Sequence, residues 1–97
     1  MRLKGKAVLV TGGGGGIGTA IAKRFAGEGA SIVCADRNLG KAKETAAAIG
    51  AAGGTAHAIE ADVSVPAQCQ SQVDETVRLL GRIDVVVNNA GIGQHKL

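Results

Sequence analysis

The sequence predicts an α/β fold, a parallel sheet covered by helices on both faces, and three observations predict it. Short unbroken apolar runs at Ala7–Val10 and Ser31–Ala35 have the character of strands buried on both sides. Segments whose apolar residues recur at helical spacing alternate with such runs. Glycine and Asn/Asp clusters mark the changes between them, with no linker. The resulting order, β-α-β-α-β-α-β, requires crossover connections, and these are right-handed.

Each element follows from its residues. Ala7-Val8-Leu9-Val10 is the first strand, and it stops at Thr11 and the glycine run Gly12–Gly16. Ile17, Ala20, Ile21 and Phe25 then repeat at helical spacing, Lys23, Arg24 and Glu28 take more exposed angles, and Gly27 and Gly29 close the segment. Ser31–Ala35 is the second strand, ended by Asp36-Arg37-Asn38. Asn38 is a suitable N-cap for a helix from Leu39 to about Ile49. Gly50, Gly53 and Gly54 break that helix, and Thr55 to Ala61 forms a third strand. Ser64 or Val65 leads into a helix with Pro66 in its first turn, where the missing N–H costs nothing. Cys69, Val73, Val77 and Leu80 make its expected apolar stripe, and Gly81 ends it. Ile83 to Val87 is a fourth strand, followed by Asn88-Asn89-Ala90-Gly91. Residues 1–97 read as one partial domain.

Composition narrows the function classes. Apolar residues make up 45% of the 97 and charged residues 20%, as in a soluble globular protein. There are 16 glycines, one phenylalanine, and no tryptophan or tyrosine, so Val, Ile, Leu and Ala must build the core. The net charge of +3 is spread along the chain. With neither a basic stripe nor aromatic platforms, nucleic-acid binding is not expected. Cys34 and Cys69 sit in apolar patterns and are expected to be reduced, buried thiols of a cytoplasmic protein. His57 and His95 lack metal-ligand spacing, so no metal site is expected. The apolar run after the basic N-terminus is too short for a signal-peptide core, and no segment is long enough to span a membrane.

The glycine run carries the chemistry. It follows a strand and opens a helix, the setting in which backbone N–H groups and the positive end of a helix dipole meet a pyrophosphate. Gly12, Gly16 and Gly18 stand at the positions where a side chain would block that approach. Asp36 ends the second strand 18 residues after Gly18, where an acid accepts hydrogen bonds from ribose hydroxyls. A carboxylate there repels the 2′-phosphate of NADP, whereas the adjacent Arg37 can pair with it. The balance favours NAD, with NADP as the alternative.

Thr11-Gly12-Gly13-Gly14-Gly15-Gly16-Ile17-Gly18 resembles the Thr-Gly-x-x-x-Gly-x-Gly cofactor turn of the short-chain dehydrogenases/reductases. Asp62-Val63 is similar to that family's strand-end pair, and Asn88-Asn89-Ala90-Gly91 to its Asn-Asn-Ala-Gly segment. The resemblance implies a Rossmann-type sheet of order 3-2-1-4 and a cofactor site formed by Gly12, Gly16, Ile17, Gly18, Asp36, Arg37, Asp62, Val63, Asn89, Ala90 and Gly91. In it Asp62 meets the adenine amino group, Val63 covers the ring, and the Asn-Asn-Ala-Gly segment braces the sheet beside the ribose. The implied activity is NAD(P)-dependent hydride transfer between an alcohol and a ketone or aldehyde. The family's catalytic Ser and Tyr-x-x-x-Lys fall downstream of Asn-Asn-Ala-Gly, and this chain contains no tyrosine. No catalytic residue is therefore assigned, and the chain reads as a truncated, cofactor-binding part. Gly13, Gly14 and Gly15 depart from the family, which usually has a Ser, Ala or charged residue among them. Two other readings stand beside this one: a non-catalytic nucleotide-binding module, and an S-adenosylmethionine-binding methyltransferase-type fold. The latter usually has an acid leading into the glycine turn, where this chain has Thr11. With order 3-2-1-4 the apolar fourth strand lies at an open edge, which invites self-association.

Overall fold

The computed structural model describes residues 3–12, 15–61 and 66–88, and for 66–69 the backbone alone. Four strands, β1 (Ala7–Thr11), β2 (Ser31–Asp36), β3 (Thr55–Glu60) and β4 (Val85–Asn88), alternate with three helices, α1 (Gly16–Gly27), α2 (Leu39–Ala51) and α3 (Pro66–Leu80). All strand pairs are parallel, and the sheet order is β3-β2-β1-β4, the predicted one.

The central strands are the two unbroken apolar runs. Every residue of β1 is buried, as are Ile32, Val33, Cys34 and Ala35 of β2. Strand alternation divides them between two layers. Val8, Val10, Ile32 and Cys34 face α1 and α2, where Ala22, Ala42 and Ile49 meet them. Leu9, Val33 and Ala35 face the other way and pack with Val73, Leu79 and Leu80 of α3. Fully buried alanines, Ala22 on α1 and Ala42 on α2, allow those helices to approach the sheet closely without aromatic filling. Phe25 packs only partly buried at the margin of that layer.

Most boundaries agree with the sequence reading to within a residue or two. Asn38 caps α2, its Oδ1 accepting the Lys41 N–H at 3.1 Å. Two features differ. Strand β4 begins at Val85 rather than Ile83, because Asp84 is bound differently from a ladder residue. Its carboxylate accepts the Ala7 N–H at 2.8 Å, while its own N–H donates to the Ala7 carbonyl at 2.9 Å. A side chain thus takes the place of a strand carbonyl at the start of the pair. The second difference is the face of α3. Val77 is 41% exposed, whereas Gln72 and Thr76 are buried, so the helix is rotated by about one residue from the predicted stripe. Val73 and Leu80 keep their places against the sheet. Thr76 tolerates burial because its hydroxyl donates to the Gln72 carbonyl one turn earlier, at 2.8 Å.

Candidate functional site

The parallel register brings the ends of the strands to one edge of the sheet. Thr11 lies beside Ala35 on one side and Asn88 on the other, and Asp36 lies beside Glu60. Ligands of open α/β sheets bind at this carboxyl edge, where the strand order reverses. Here the reversal falls between β1 and β4, since β1 leads outward to β2 while β4 returns on its other side.

The glycine turn begins as the continuation of the sheet. Gly12 donates its N–H to the Ala35 carbonyl at 2.7 Å and then turns at φ +70, a left-handed conformation that disfavours side chains. Gly15 returns an N–H to the Gly12 carbonyl at 3.2 Å, and the helical ladder starts where Thr19 donates to Gly15 at 2.7 Å. The N-terminus of α1 is thereby set directly after the end of β1. Gly15, the N-cap, offers no side-chain cap, and no acid lies in the first turn. The positive end of the helix dipole is therefore not offset by the chain's own carboxylates in that turn.

Gly16 is informative for a different reason. A Cβ built on it meets nothing within 4 Å, and its φ is not positive. Among the described residues neither packing nor positive-φ strain requires a glycine there, and the space over the position is open. Gly18 is buried, and Ile17 projects outward, 63% exposed. The residues present thus fit a phosphate-bearing group: a bare helix N-terminus with open space over its first residue.

At the end of β2, the Asp36 carboxylate accepts the Asn38 N–H at 2.8 Å, which holds it at the mouth of the loop. Its carbonyl accepts the Ala61 N–H at 3.0 Å and so ties the end of β3 to the end of β2. Arg37 is exposed beside it. Gly12, Gly16, Ile17, Gly18, Asp36 and Arg37 therefore all belong to the carboxyl edge of the sheet or the turn that rises from it. Asp62, Val63, Asn89, Ala90 and Gly91, which follow Ala61 and Asn88 in the sequence, lie outside the described residues.

Sequence reasoning did not single out Thr11 as a brace. Its hydroxyl lies 3.2 Å from the Val87 carbonyl and 3.1 Å from Asn88 Oδ1, joining the root of the glycine turn to the end of β4. Thr19 and Thr45 were not singled out either. Their hydroxyls meet at 2.9 Å and link the first turn of α1 to α2, with Thr45 buried. The available signal for both was a hydroxyl within an otherwise apolar or glycine-rich stretch.

The perturbed ionisable groups lie elsewhere. Burial pushes the Cys34 thiol up to about 11, the state of an inert core thiol. Cys69 lies in the segment whose side chains are not described. Asp84, at the opposite end of β4, is held below the usual carboxylate range by Arg82 first and then by the Ala7 N–H. Among the described residues no His/Cys/Asp/Glu group could hold a metal ion, and no helix is long and apolar enough to cross a membrane.

Comparison with known proteins agrees with this geometry. A family model described as short chain dehydrogenase matches residues 6–97. The 7alpha-hydroxysteroid dehydrogenase of Escherichia coli K12 is 40% identical over 96 residues, covering 99% of this chain and 38% of the relative. An uncharacterised oxidoreductase of Methylorubrum extorquens is 46% identical over 93 residues, with 94% and 37% covered. Among solved structures, a hydroxysteroid dehydrogenase from Escherichia coli superposes with a TM-score of 0.86 at 38% identity, covering 90% of this chain and 37% of that one. A 3-ketoacyl-(acyl-carrier-protein) reductase from Brucella melitensis, complexed with NADH, gives 0.78 at 39% identity, with 87% and 33% covered. The chain thus spans a little over a third of the length of these relatives. From strand order, glycine turn and match across nearly its whole length, the chain belongs to the short-chain dehydrogenase family.

Proposed function

We propose that this chain is the cofactor-binding part of an oxidoreductase that uses a nicotinamide dinucleotide, with NAD preferred over NADP. The observation that carries the reading is the open N-terminus of α1, where Gly16 leaves space that none of the described residues fills. The first-turn N–H groups of α1 would hold the pyrophosphate, supported by the dipole of a 12-residue helix. Asp36 would accept hydrogen bonds from the adenosine ribose, with Arg37 available to a 2′-phosphate. Asp62 and Val63 would take the adenine, and Asn89, Ala90 and Gly91 would line the adjoining ribose. The bound cofactor supplies the hydride acceptor or donor; the residues named here bind and orient it.

The parent reaction proposed is interconversion of an alcohol and a carbonyl compound, in a longer polypeptide that contributes the family's Ser and Tyr-x-x-x-Lys. The NADH-bound reductase from Brucella melitensis supports the choice of cofactor class. A second reading, a nucleotide-binding module without catalysis of its own, rests on the same open helix N-terminus, which would bind a nucleotide whether or not chemistry follows. The open edge at β4, with Val86 52% exposed, supports self-association of the isolated chain.

Calorimetric titration of the chain with NADH, NADPH and S-adenosylmethionine tests the binding reading. NADH is expected to bind most tightly, and preference for the methyl donor would overturn it. Reading the coding DNA beyond Leu97 separates the two functional readings. A downstream Ser and Tyr-x-x-x-Lys support the enzyme, and a stop codon at that point supports the module.

A further inference from the structure

The order β3-β2-β1-β4 leaves β3 at the edge of the sheet, two strands from the glycine turn. Along this edge, between α2 and α3, runs a groove of about 520 Å³, within the range of small-molecule sites. Leu39, Ala58 and Ile59 give it apolar walls, and Lys43, Glu60 and Glu75 contribute both signs of charge. Glu75 is already paired with Arg78, so the charges among the described lining residues nearly cancel.

Gln72 of α3 also lines this groove, and it is the unusual residue. The residue is 2% exposed, and among the described residues neither its Nε2 nor its Oε1 has a hydrogen-bond partner. A primary amide loses two donors and an acceptor when shut away unpaired, and buried polar groups are rarely left so. An orphan amide beside a groove of molecular size is the arrangement expected of a recognition group whose partner comes from outside.

We propose that the groove beside β3 is a second ligand site, that Gln72 is its recognition group, and that it takes a neutral planar molecule with a lactam-type edge. Rotation about the Gln72 side-chain torsions carries the amide from its closed position to the groove. There it exchanges two antiparallel hydrogen bonds with an adjacent N–H and C=O of the ligand, the pairing that an amide makes with a cyclic amide. The flat body of the ligand lies against Leu39 and Ile59. The near-cancelled charge of the described lining favours a neutral molecule over an anion such as a phosphate. None of the residues lining this groove is among those proposed for the dinucleotide, and the proposal does not depend on that reading.

The test is a titration of the isotopically labelled chain with 2-pyridone, followed by amide NMR. Saturable shifts are expected at the Gln72 side-chain NH₂ and at Leu39 and Ile59, unchanged by saturating NADH. N-methyl-2-pyridone, the same ring without the donor, is expected to bind roughly tenfold more weakly. Gln72→Leu should abolish the saturable shifts. Shifts that do not saturate, equal binding of the two pyridones, unchanged binding to Gln72→Leu, or displacement by NADH would each overturn the proposal. The pyridone comparison uses the unsubstituted chain, so it decides even if the variant folds poorly.

Discussion

Replacing Gly16 by alanine separates a glycine kept for a ligand from one kept for the fold. A Cβ at this position meets nothing within 4 Å, and the backbone does not have positive φ. The methyl group therefore costs no packing energy, and alanine loses less chain entropy on entering a helix. For helix-interior positions the gain is roughly 0.5–1 kcal/mol. A first-turn residue belongs at the lower end, or about a 2–4 °C rise in midpoint for a domain of this size. The cofactor meets the opposite effect. A methyl over the helix end displaces the pyrophosphate from first-turn N–H groups, and a lost charge-assisted hydrogen bond is worth about 1.5–3 kcal/mol. The expected result of Gly16→Ala is thus a chain as stable as the parent or more so, with NADH affinity reduced roughly 10- to 100-fold. Thermal denaturation by circular dichroism and calorimetric titration read the two quantities. Gly12→Ala is the contrasting variant. Its φ of +70 makes alanine costly by about 1–2 kcal/mol, so stability and binding should fall together. A Gly16→Ala chain that is markedly less stable, or that binds NADH within twofold of the parent, would refute the reasoning.

Three further predictions concern the rest of the molecule. Asp36→Asn keeps an Oδ1 acceptor for the Asn38 N–H but removes the charge facing a 2′-phosphate. The preference for NADH over NADPH should fall roughly three- to tenfold in paired titrations, and an unchanged ratio would remove Asp36 from the ribose site. Cys34, raised by burial to about 11, stays a thiol in the folded chain while the unfolded chain ionises from about 9. The unfolded state therefore binds fewer protons in that window, and stability falls as pH rises from 9 to 11, by about 2–3 kcal/mol in total. Denaturant midpoints should fall more steeply with pH for the parent than for Cys34→Ala. Asp84 is the acid-side counterpart: its value is lowered from an ordinary 3.8, so its contribution is present above that pH and lost as pH falls through the folded value. Asp84→Asn should flatten the dependence of the urea midpoint on pH below about 4, and parallel curves for the two proteins would contradict the assignment.

The parts legible in the sequence were those set by local pattern. Ala7–Val10 and Ile32–Ala35 are buried on both faces, and unbroken apolar runs between breakers report that directly. Asn38 before Leu39 announced its own cap, and the glycine run announced its turn because strand, turn and helix follow in that order. Features set by contacts across the fold were less visible. The start of β4 depends on Asp84 meeting Ala7, 77 positions away, which no local window contains. The buried face of α3 differs from the expected stripe because Gln72 and Thr76 look like surface residues in the run Gln70-Ser71-Gln72-Val73-Asp74-Glu75-Thr76. Only the sheet edge and the crossing of α3 reveal that Gln72 points inward. At the candidate site, the glycines and Asp36 were identified by spacing, whereas the Thr11 hydroxyl between Val87 and Asn88 required the register of β1 against β4.

The most direct measurement of the central claim is an amide-resolved NMR titration of the chain with NADH. The account predicts saturable shifts centred on Gly12 and Gly15–Gly18, with a second group at Asp36 and Arg37, and little change in the groove beside β3. Shifts absent from the glycine turn while NADH binds elsewhere, or no saturable binding by a folded chain, would contradict it.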